Sequence, residues 1–125
     1  MGTSAGSAFG IGADNTEYSE NTTLTDAKNG TCGNIYGTAT VTINLELFGM
    51  YLLFCSSYTK SSGAVYGATT RLITCAGVAT GTPTNLSLGQ TSSAPATISM
   101  AANNKITIAN GAATRCTQFQ LMRVL

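Results

Sequence analysis

The side chains able to do chemistry are few in this 125-residue chain, and the most versatile of them is missing. The sequence has no His, which is the side chain that most often acts as a general base or as a neutral metal ligand. A Ser-His-Asp or Cys-His arrangement is therefore excluded. Lys60, Ser61 and Ser62 are the residue types of a Ser-Lys dyad, but a catalytic lysine needs burial to lower its pKa, and a hairpin loop does not bury it. We predict no catalytic residue and no enzymatic activity.

The carboxylates are confined to the first 46 residues. A glycoside hydrolase needs two opposed carboxylates, and the remaining part of this chain, which has the apolar runs, supplies none. The spacing of the acids does not match a calcium-binding loop, and the absence of a Cys-x-x-Cys pair disfavours zinc. We predict no metal and no cofactor. The five acids are Asp14, Glu17, Glu20, Asp26 and Glu46.

A hydrophilic loop predicted at residues 58–67 (YTKSSGAVYG) is the best candidate for a recognition site. Tyrosine offers a large, rigid contact area at low cost in conformational entropy, and hydroxyl and ammonium groups hydrogen-bond to polar ligands. In an alternative interpretation the two tyrosines only cap the ends of strands. A second stretch rich in Thr, Ser and Gly, residues 77–95, is either a recognition surface or an ordinary loop. The candidate receptor-binding residues are Tyr58, Lys60, Ser61, Ser62 and Tyr66.

Charged residues make up only 9% of the chain and are unevenly distributed. Residues 1–46 carry five acids and one lysine, a net charge of −4, whereas residues 47–125 carry five cations and no acid, a net charge of +5. The basic part favours an anionic partner, such as a glycan bearing acid or phosphate groups, unless the sparse cations serve only solubility. Lysines and arginines are not clustered, so we predict no nucleic-acid binding.

The elements that must position these residues are short strands. Residues 38–45 (TATVTINL) alternate polar and apolar side chains. This pattern predicts a half-buried antiparallel strand with Val41, Ile43 and Leu45 on its inner face. Residues 49–57 (GMYLLFCSS) form a more continuous apolar run, which is typical of a central strand covered on both faces.

The second half of the chain predicts further strands separated by turns. Residues 69–76 (TTRLITCA) form a strand, and residues 85–88 (NLSL) are ambiguous. Residues 96–109 predict a hairpin that turns at Asn103–Asn104, and Asn110–Gly111 is a further turn signal. The candidate core residues of the hairpin are Ile98, Met100, Ile106 and Ile108.

The last strand, within residues 115–125 (RCTQFQLMRVL), also alternates. The pattern places Thr117, Phe119, Leu121 and Leu125 towards the core. It leaves Gln118, Gln120 and Met122 on the opposite face. An uncharged face of this kind suits a subunit interface, from which charged residues are depleted, or it is simply an exposed polar surface.

These patterns favour an all-β fold, because no stretch shows a helical stripe and short strands recur with turns between them. We predict a small antiparallel β-sandwich, jelly-roll-like, with a small barrel as the alternative. Residues 1–31 mix Gly, Ser, Thr, Asn and acids without periodicity, which predicts a flexible N-terminal arm or linker. Residues 32–125 then form the sandwich domain.

The cysteines and the targeting signals are also informative. Four cysteines, Cys32, Cys55, Cys75 and Cys116, allow three disulfide pairings. Because Cys55 and Cys75 lie in apolar runs, we favour reduced, buried thiols, with one disulfide as the alternative if the protein matures outside a cell. The N-terminal residues show no signal-peptide pattern. The longest apolar run, residues 47–55, is far below the ~20 residues of a membrane-spanning helix, so we predict no membrane insertion.

The order of these features resembles the C-terminal receptor-binding domains, the heads or tips, of bacteriophage tail fibres. The resemblance covers residues 38–125: GTATVTINL before an apolar strand, a Ser/Gly hairpin, a second strand, the hairpin ATISMAANNKITIAN, and the terminal RCTQFQLMRVL. Such domains are small antiparallel β-sandwiches, commonly trimeric, which bind glycans or proteins of the host surface. The resemblance implies a virion protein made in the host cytoplasm.

Two hypotheses of function follow. The first is a non-enzymatic fibre tip that assembles as a homotrimer and binds a host-surface receptor, a glycan or a protein. The second is a structural virion protein, such as a capsid decoration or fibre-attachment subunit, whose acidic arm contacts other virion proteins. Both hypotheses need no cofactor.

Overall fold

The chain folds into two β-sheets, and the apolar side chains that alternate along the strands are buried between them. The computed structural model describes residues 16–27, 29–92 and 95–125. Residues 1–15, the first half of the predicted arm, lie outside the described residues. The described part of the chain contains strands and no helix, which confirms the all-β fold. The strands are β1 (Glu17–Tyr18), β2 (Thr22–Leu24), β3 (Gly30–Tyr36), β4 (Thr40–Asn44), β5 (Met50–Thr59), β6 (Val65–Thr74), β7 (Thr84–Gln90), β8 (Ala96–Ala101), β9 (Lys105–Asn110) and β10 (Arg115–Arg123).

The strands form a β-sandwich, as the sequence predicts. One sheet has six strands in the order β1-β3-β10-β5-β6-β7, and the other has four in the order β2-β4-β9-β8. Between the sheets, β9 approaches β3 and β10, while β8 approaches β5. The smaller sheet therefore covers the middle of the larger one. Strands β6 and β7 extend past its edge strand β8, and nearly every residue of β7 is exposed.

The predicted inner faces of three strands are confirmed. In β4 and just after it, Val41, Ile43 and Leu45 are buried, and in β10 so are Thr117, Phe119 and Leu121. Ile106 and Ile108 of β9 are fully buried. Burial of a large apolar side chain contributes about 1.5–3 kcal/mol, so the region between the sheets is the main source of stability.

The interpretation of β5 as a strand covered on both faces is wrong. Strand β5 is central in its sheet, between β10 and β6, and its Tyr51, Leu53 and Cys55 are buried. Phe54, on the other face, is 38% exposed. The reason is that the described residues form only two layers, so one face of the larger sheet has no layer against it.

The position of strands in the sheets decides three further points. Ile98 and Met100 pack against the core, as predicted, but they are only partly buried because β8 is an edge strand. Leu125 is 72% exposed, because it follows the end of β10. The ambiguous residues 85–88 belong to β7, which is held by pairing with β6 rather than by burial.

The sandwich also includes residues that the sequence assigns to the arm. Strands β1 and β2 pair in parallel with β3 and β4, so they extend one sheet each, whereas the sequence predicts the sandwich to begin at residue 32. The backbone N–H of Asn34 donates to Thr16 O at 2.8 Å, and the Tyr18 ring lies 6.1 Å from the Phe119 ring, centroid to centroid. Strands of two and three residues are too short to show alternation, which explains why the sequence pattern misses them.

Candidate functional site

The predicted recognition loop is a short, tightly closed turn between two long strands. Strands β5 and β6 extend into the predicted segment and leave only residues 60–64 between them. The N–H of Thr59 donates to Ala64 O, and the N–H of Gly63 donates to Thr59 O, both at 2.8 Å. Gly63 has a φ of +73°, a conformation that a glycine adopts without steric cost. Lys60, Ser61 and Ser62 are thereby held at the exposed tip.

A second loop supports the first from the side. The N–H of Lys60 donates to Thr114 O at 2.8 Å, and Thr114 directly precedes β10, which pairs with β5 from Arg115 opposite Thr59. The tip is therefore fixed by backbone hydrogen bonds to both its own hairpin and the neighbouring turn. A loop held in this way presents its side chains with little loss of entropy on binding.

The two candidate tyrosines lie in strands, not in the loop. Tyr58 is the penultimate residue of β5, next to a β-bulge, and is half-buried between Cys116 and Val65. Tyr66 is the second residue of β6. The guanidinium carbon of Arg115 lies 3.4 Å from the centroid of the Tyr66 ring, a cation–π contact. One face of Tyr66 is therefore already covered.

Arg115 is the residue of this region that the sequence analysis does not identify. It begins β10, just after the Asn110–Gly111 turn, and lies 49 positions from Tyr66 in sequence. The turn signal indicates where the strand begins but not which strand it joins. The end of the sheet that carries the tip is cationic, because Arg115 and Lys60 both lie there.

The second candidate stretch is only partly a loop. Much of residues 77–95 forms the exposed strand β7, and Pro83 just before it is buried. Residues 93 and 94 lie outside the described residues. The hydroxyls of this stretch are therefore displayed mainly along a sheet edge.

The outer face of the six-stranded sheet, defined as the side away from the four-stranded sheet, is a second candidate surface. Register places Met122, Leu52, Leu72 and Leu86 in one row across β10, β5, β6 and β7. The next row holds Gln120, Phe54 and Thr70, and the one beyond it Gln118, Ser56 and Ala68. None of these residues is charged. Phe54 is 38% exposed and Leu86 58% exposed, so this face combines apolar and amide groups at the surface.

All four cysteines are free in the structure, two buried and two half-buried. Burial raises the pKa of the Cys55 thiol to about 12, against a smaller opposing effect of Arg71. Burial also raises the pKa of Cys75, with Arg123 acting in the opposite direction. Both buried thiols therefore stay protonated at neutral pH and are poor nucleophiles, since the thiolate is the reactive form. Cys32 and Cys116 are half-buried rather than buried, because they lie on the outer face.

Within the part of the chain that the structure describes, there is no helix that could span a membrane.

Comparison with known proteins gives remote structural likeness. No protein-family model matches the chain, and no curated protein matches it. Among solved structures, it is similar to the tailspike protein of Acinetobacter phage vB_ApiP_P1, with a TM-score of 0.42 and 13% sequence identity. The likeness covers 78% of this chain and 19% of the tailspike. The chain thus spans about a fifth of the length of that protein.

Proposed function

We propose that this chain is a non-enzymatic virion protein of a bacteriophage, a distal tail-fibre domain that binds a glycan or protein of the host surface. The observation that carries the proposal is the tip at residues 60–64. Its polar side chains are exposed, and its backbone is hydrogen-bonded both within its own hairpin and to the neighbouring turn at Thr114. Binding residues are often displayed in this way, on loops that a rigid scaffold positions. The order of strands and turns along residues 38–125, which resembles the fibre tips, supports the same function.

In this proposal the tip supplies the polar contacts and the adjoining strand ends supply the aromatic ones. Lys60 and Ser61 reach the ligand directly, because both are exposed. The Ser62 hydroxyl accepts a hydrogen bond from Ala64 N at 3.3 Å, so it also shapes the turn. Tyr58 offers its ring beside the tip, and Tyr66 holds Arg115 there. The proposed receptor-binding residues are Tyr58, Lys60, Ser61, Ser62 and Tyr66.

Receptor binding is tested by replacing the two tip residues whose side chains take no part in the hydrogen bonds of the turn. Fluorescently labelled protein is incubated with a panel of bacterial strains, and binding is measured by flow cytometry. We expect the wild type to bind a subset of strains, and the Lys60→Ala/Ser61→Ala variant to bind at least ~10-fold more weakly, because the two lost hydrogen bonds together contribute about 1–3 kcal/mol. The matched control is Thr97→Ala/Ser99→Ala, which removes two exposed hydroxyls of β8. Equal binding by the tip variant and the control would contradict the role of the tip.

We further propose that the domain is a homotrimer, with copies associating through the outer face of the six-stranded sheet. Charged residues are depleted from subunit interfaces, and the rows from Met122 to Gln118 on this face contain none. Association would also cover exposed apolar groups such as Phe54 and Leu86. The tip lies at the end of the same sheet, beyond the row of Gln118, and so stays accessible to a receptor.

The assembly is tested by placing a charge in the middle of this face. Gln118 is exposed within one chain, so Gln118→Glu should leave the fold intact. Like charges brought together in an interface cost several kcal/mol, and we expect the native mass measured by light scattering to fall from three copies to one. Thr97→Glu adds the same charge to the exposed side of β8 and should leave the trimer unchanged. A monomeric wild type, or a Gln118→Glu variant that stays trimeric, would refute the proposed interface.

A further inference from the structure

Arg71 occupies an unusual place at the margin of the sandwich. Its Cα pairs with that of Leu53, and Thr69 pairs with Cys55. Because directly paired residues of antiparallel strands share a face, Arg71 lies on the inner face of the larger sheet, with the buried Leu53 and Cys55. Yet β6 extends past the edge strand β8 of the smaller sheet, and Arg71 is only half-buried. The guanidinium is thus close to the core and still reachable from solvent.

Neutral groups hold this guanidinium in place. Arg71 Nε donates to Thr69 Oγ1 at 3.2 Å, and Nη2 donates to Gln90 Oε1 at 3.1 Å. Gln90 is itself fixed, because its Nε2 donates to Ser92 O at 3.1 Å. Thr69, which is 2% exposed, has its hydroxyl 3.4 Å from Gly89 O. The orientation of the arginine is therefore set by the side chains of Thr69 and Gln90. Their own hydrogen bonds, to Gly89 O and Ser92 O, hold them in place.

The charge of Arg71 has no counter-ion among the described residues. Its two acceptors are a hydroxyl and an amide oxygen, and the chain has no acid after Glu46. A guanidinium has five N–H donors, of which these contacts use two. Both N–H groups of Nη1 have no acceptor in the described part of the chain. A half-buried guanidinium that is held in one orientation and has unused N–H donors is a favourable partner for a carboxylate or phosphate.

We infer that Arg71, Thr69 and Gln90 form an anion-binding site that takes a carboxylate or a phosphate group carried by a glycan. The anion would accept hydrogen bonds from the spare N–H groups of Arg71, while Thr69 and Gln90 keep the guanidinium in position. Ser87, which pairs with Arg71 across β6 and β7 and is exposed, adds a hydroxyl for the sugar. This site is separate from the tip at residues 60–64 and does not depend on the proposed role in a virion.

The test measures anion binding to the chain itself by NMR. Sodium glucuronate, inorganic phosphate and the neutral methyl glucoside are titrated into 15N-labelled protein, and the Arg71 Nε–Hε and Gln90 side-chain amide signals are followed. We expect saturable shifts with an anion and none with the neutral sugar. Glucuronate binding without phosphate binding would identify a carboxylate site, and the reverse a phosphate site. Absence of saturable shifts with both anions would overturn the inference.

Variants separate the site from a general effect of positive charge. We expect Arg71→Gln to abolish the shifts and Arg71→Lys, which keeps the charge but loses the planar fork, to weaken binding at least ~10-fold. Arg123→Gln removes an equal charge from the end of β10, where Arg123 Nε donates to Leu125 O, and should bind as the wild type does. The backbone amide spectrum of each variant establishes that it is folded. If Arg71→Gln or Arg71→Lys binds with unchanged affinity, the site is not at Arg71.

Discussion

Replacing Asn104 by alanine is expected to lower the free energy of unfolding by about 3 kcal/mol, because this side chain joins the β8–β9 hairpin to the chain that follows β6. Its Oδ1 accepts a hydrogen bond from Ala76 N at 2.9 Å, and its Nδ2 donates to Val78 O at 3.1 Å. Asn104 is 2% exposed, so water cannot replace these partners in a variant. Each buried group left without a partner costs about 1–3 kcal/mol.

The backbone conformation of Asn104 adds to the cost of alanine. Its φ is +50°, and a left-handed conformation costs an ordinary L-residue about 1–2 kcal/mol, with asparagine and glycine more tolerant. We therefore expect Asn104→Gly, which loses the amide but accepts this φ, to be more stable than Asn104→Ala by about 1 kcal/mol. Urea unfolding followed by circular dichroism gives both values.

The neighbouring asparagine provides the matched control. Asn103 has a φ of +67° but is exposed. Asn103→Ala therefore incurs the conformational cost of the positive φ but loses no buried hydrogen bond. We expect it to be destabilised by about 1 kcal/mol. If Asn104→Ala were no less stable than Asn103→Ala, the buried amide would not be the link between the sheets that the geometry indicates.

The second large effect is expected at Asn110, at the other end of β9. Its Nδ2 donates to Ile35 O and Gly37 O, each at 3.0 Å, and its Oδ1 accepts from Thr117 Oγ1 at 2.5 Å. One amide therefore connects the four-stranded sheet to β3 and β10 of the six-stranded sheet. Asn110→Ala removes all three bonds and is expected to cost about 3 kcal/mol.

A double-mutant cycle separates the contribution of the Oδ1 hydrogen bond of Asn110 from that of its Nδ2 hydrogen bonds. Thr117→Val preserves the shape of a fully buried side chain and removes only the bond to Oδ1 and the contact with Ser57 Oγ at 3.0 Å. We expect Asn110→Ala and Thr117→Val to be non-additive by about 1 kcal/mol, because both delete the same hydrogen bond. Asn85→Ala serves as the control, since Asn85 Oδ1 has no hydrogen-bond partner among the described residues. A loss of stability in Asn85→Ala equal to that in Asn110→Ala would argue against the amide network.

The two asparagines lie at opposite ends of the six-residue strand β9, which is roughly 20 Å long. Substitutions at such a distance that share no partner add within about 0.5 kcal/mol. We expect the Asn104→Gly/Asn110→Ala double variant to show the sum of the single losses, within that margin. Each amide thus links the β9 strand to another part of the sandwich through hydrogen bonds.

Most of the strands and their inner faces can be predicted from local patterns in the sequence. Val41 and Ile43, and likewise Phe119 and Leu121, alternate with polar residues, and a period of two is a local property that needs no knowledge of the partner strand. The turn residues Asn103–Asn104 and Asn110–Gly111 also marked where strands end. The all-β fold and the exposed polar tip at Lys60 to Ser62 follow from the same local patterns.

Which of these elements become neighbours depends on the three-dimensional arrangement of the strands. The order of the strands makes β8 an edge strand and leaves Phe54 exposed on the uncovered face of β5. It pairs β1 and β2, which show no alternation, with strands of the two sheets. It also placed Arg115 on Tyr66, Arg71 between Thr69 and Gln90, and Asn110 on carbonyls 73 and 75 residues away in sequence. Alternation reports whether a side chain faces the core, but a hydrogen bond or cation–π contact needs two groups within a few ångströms. That proximity is fixed by how the two sheets pair and pack.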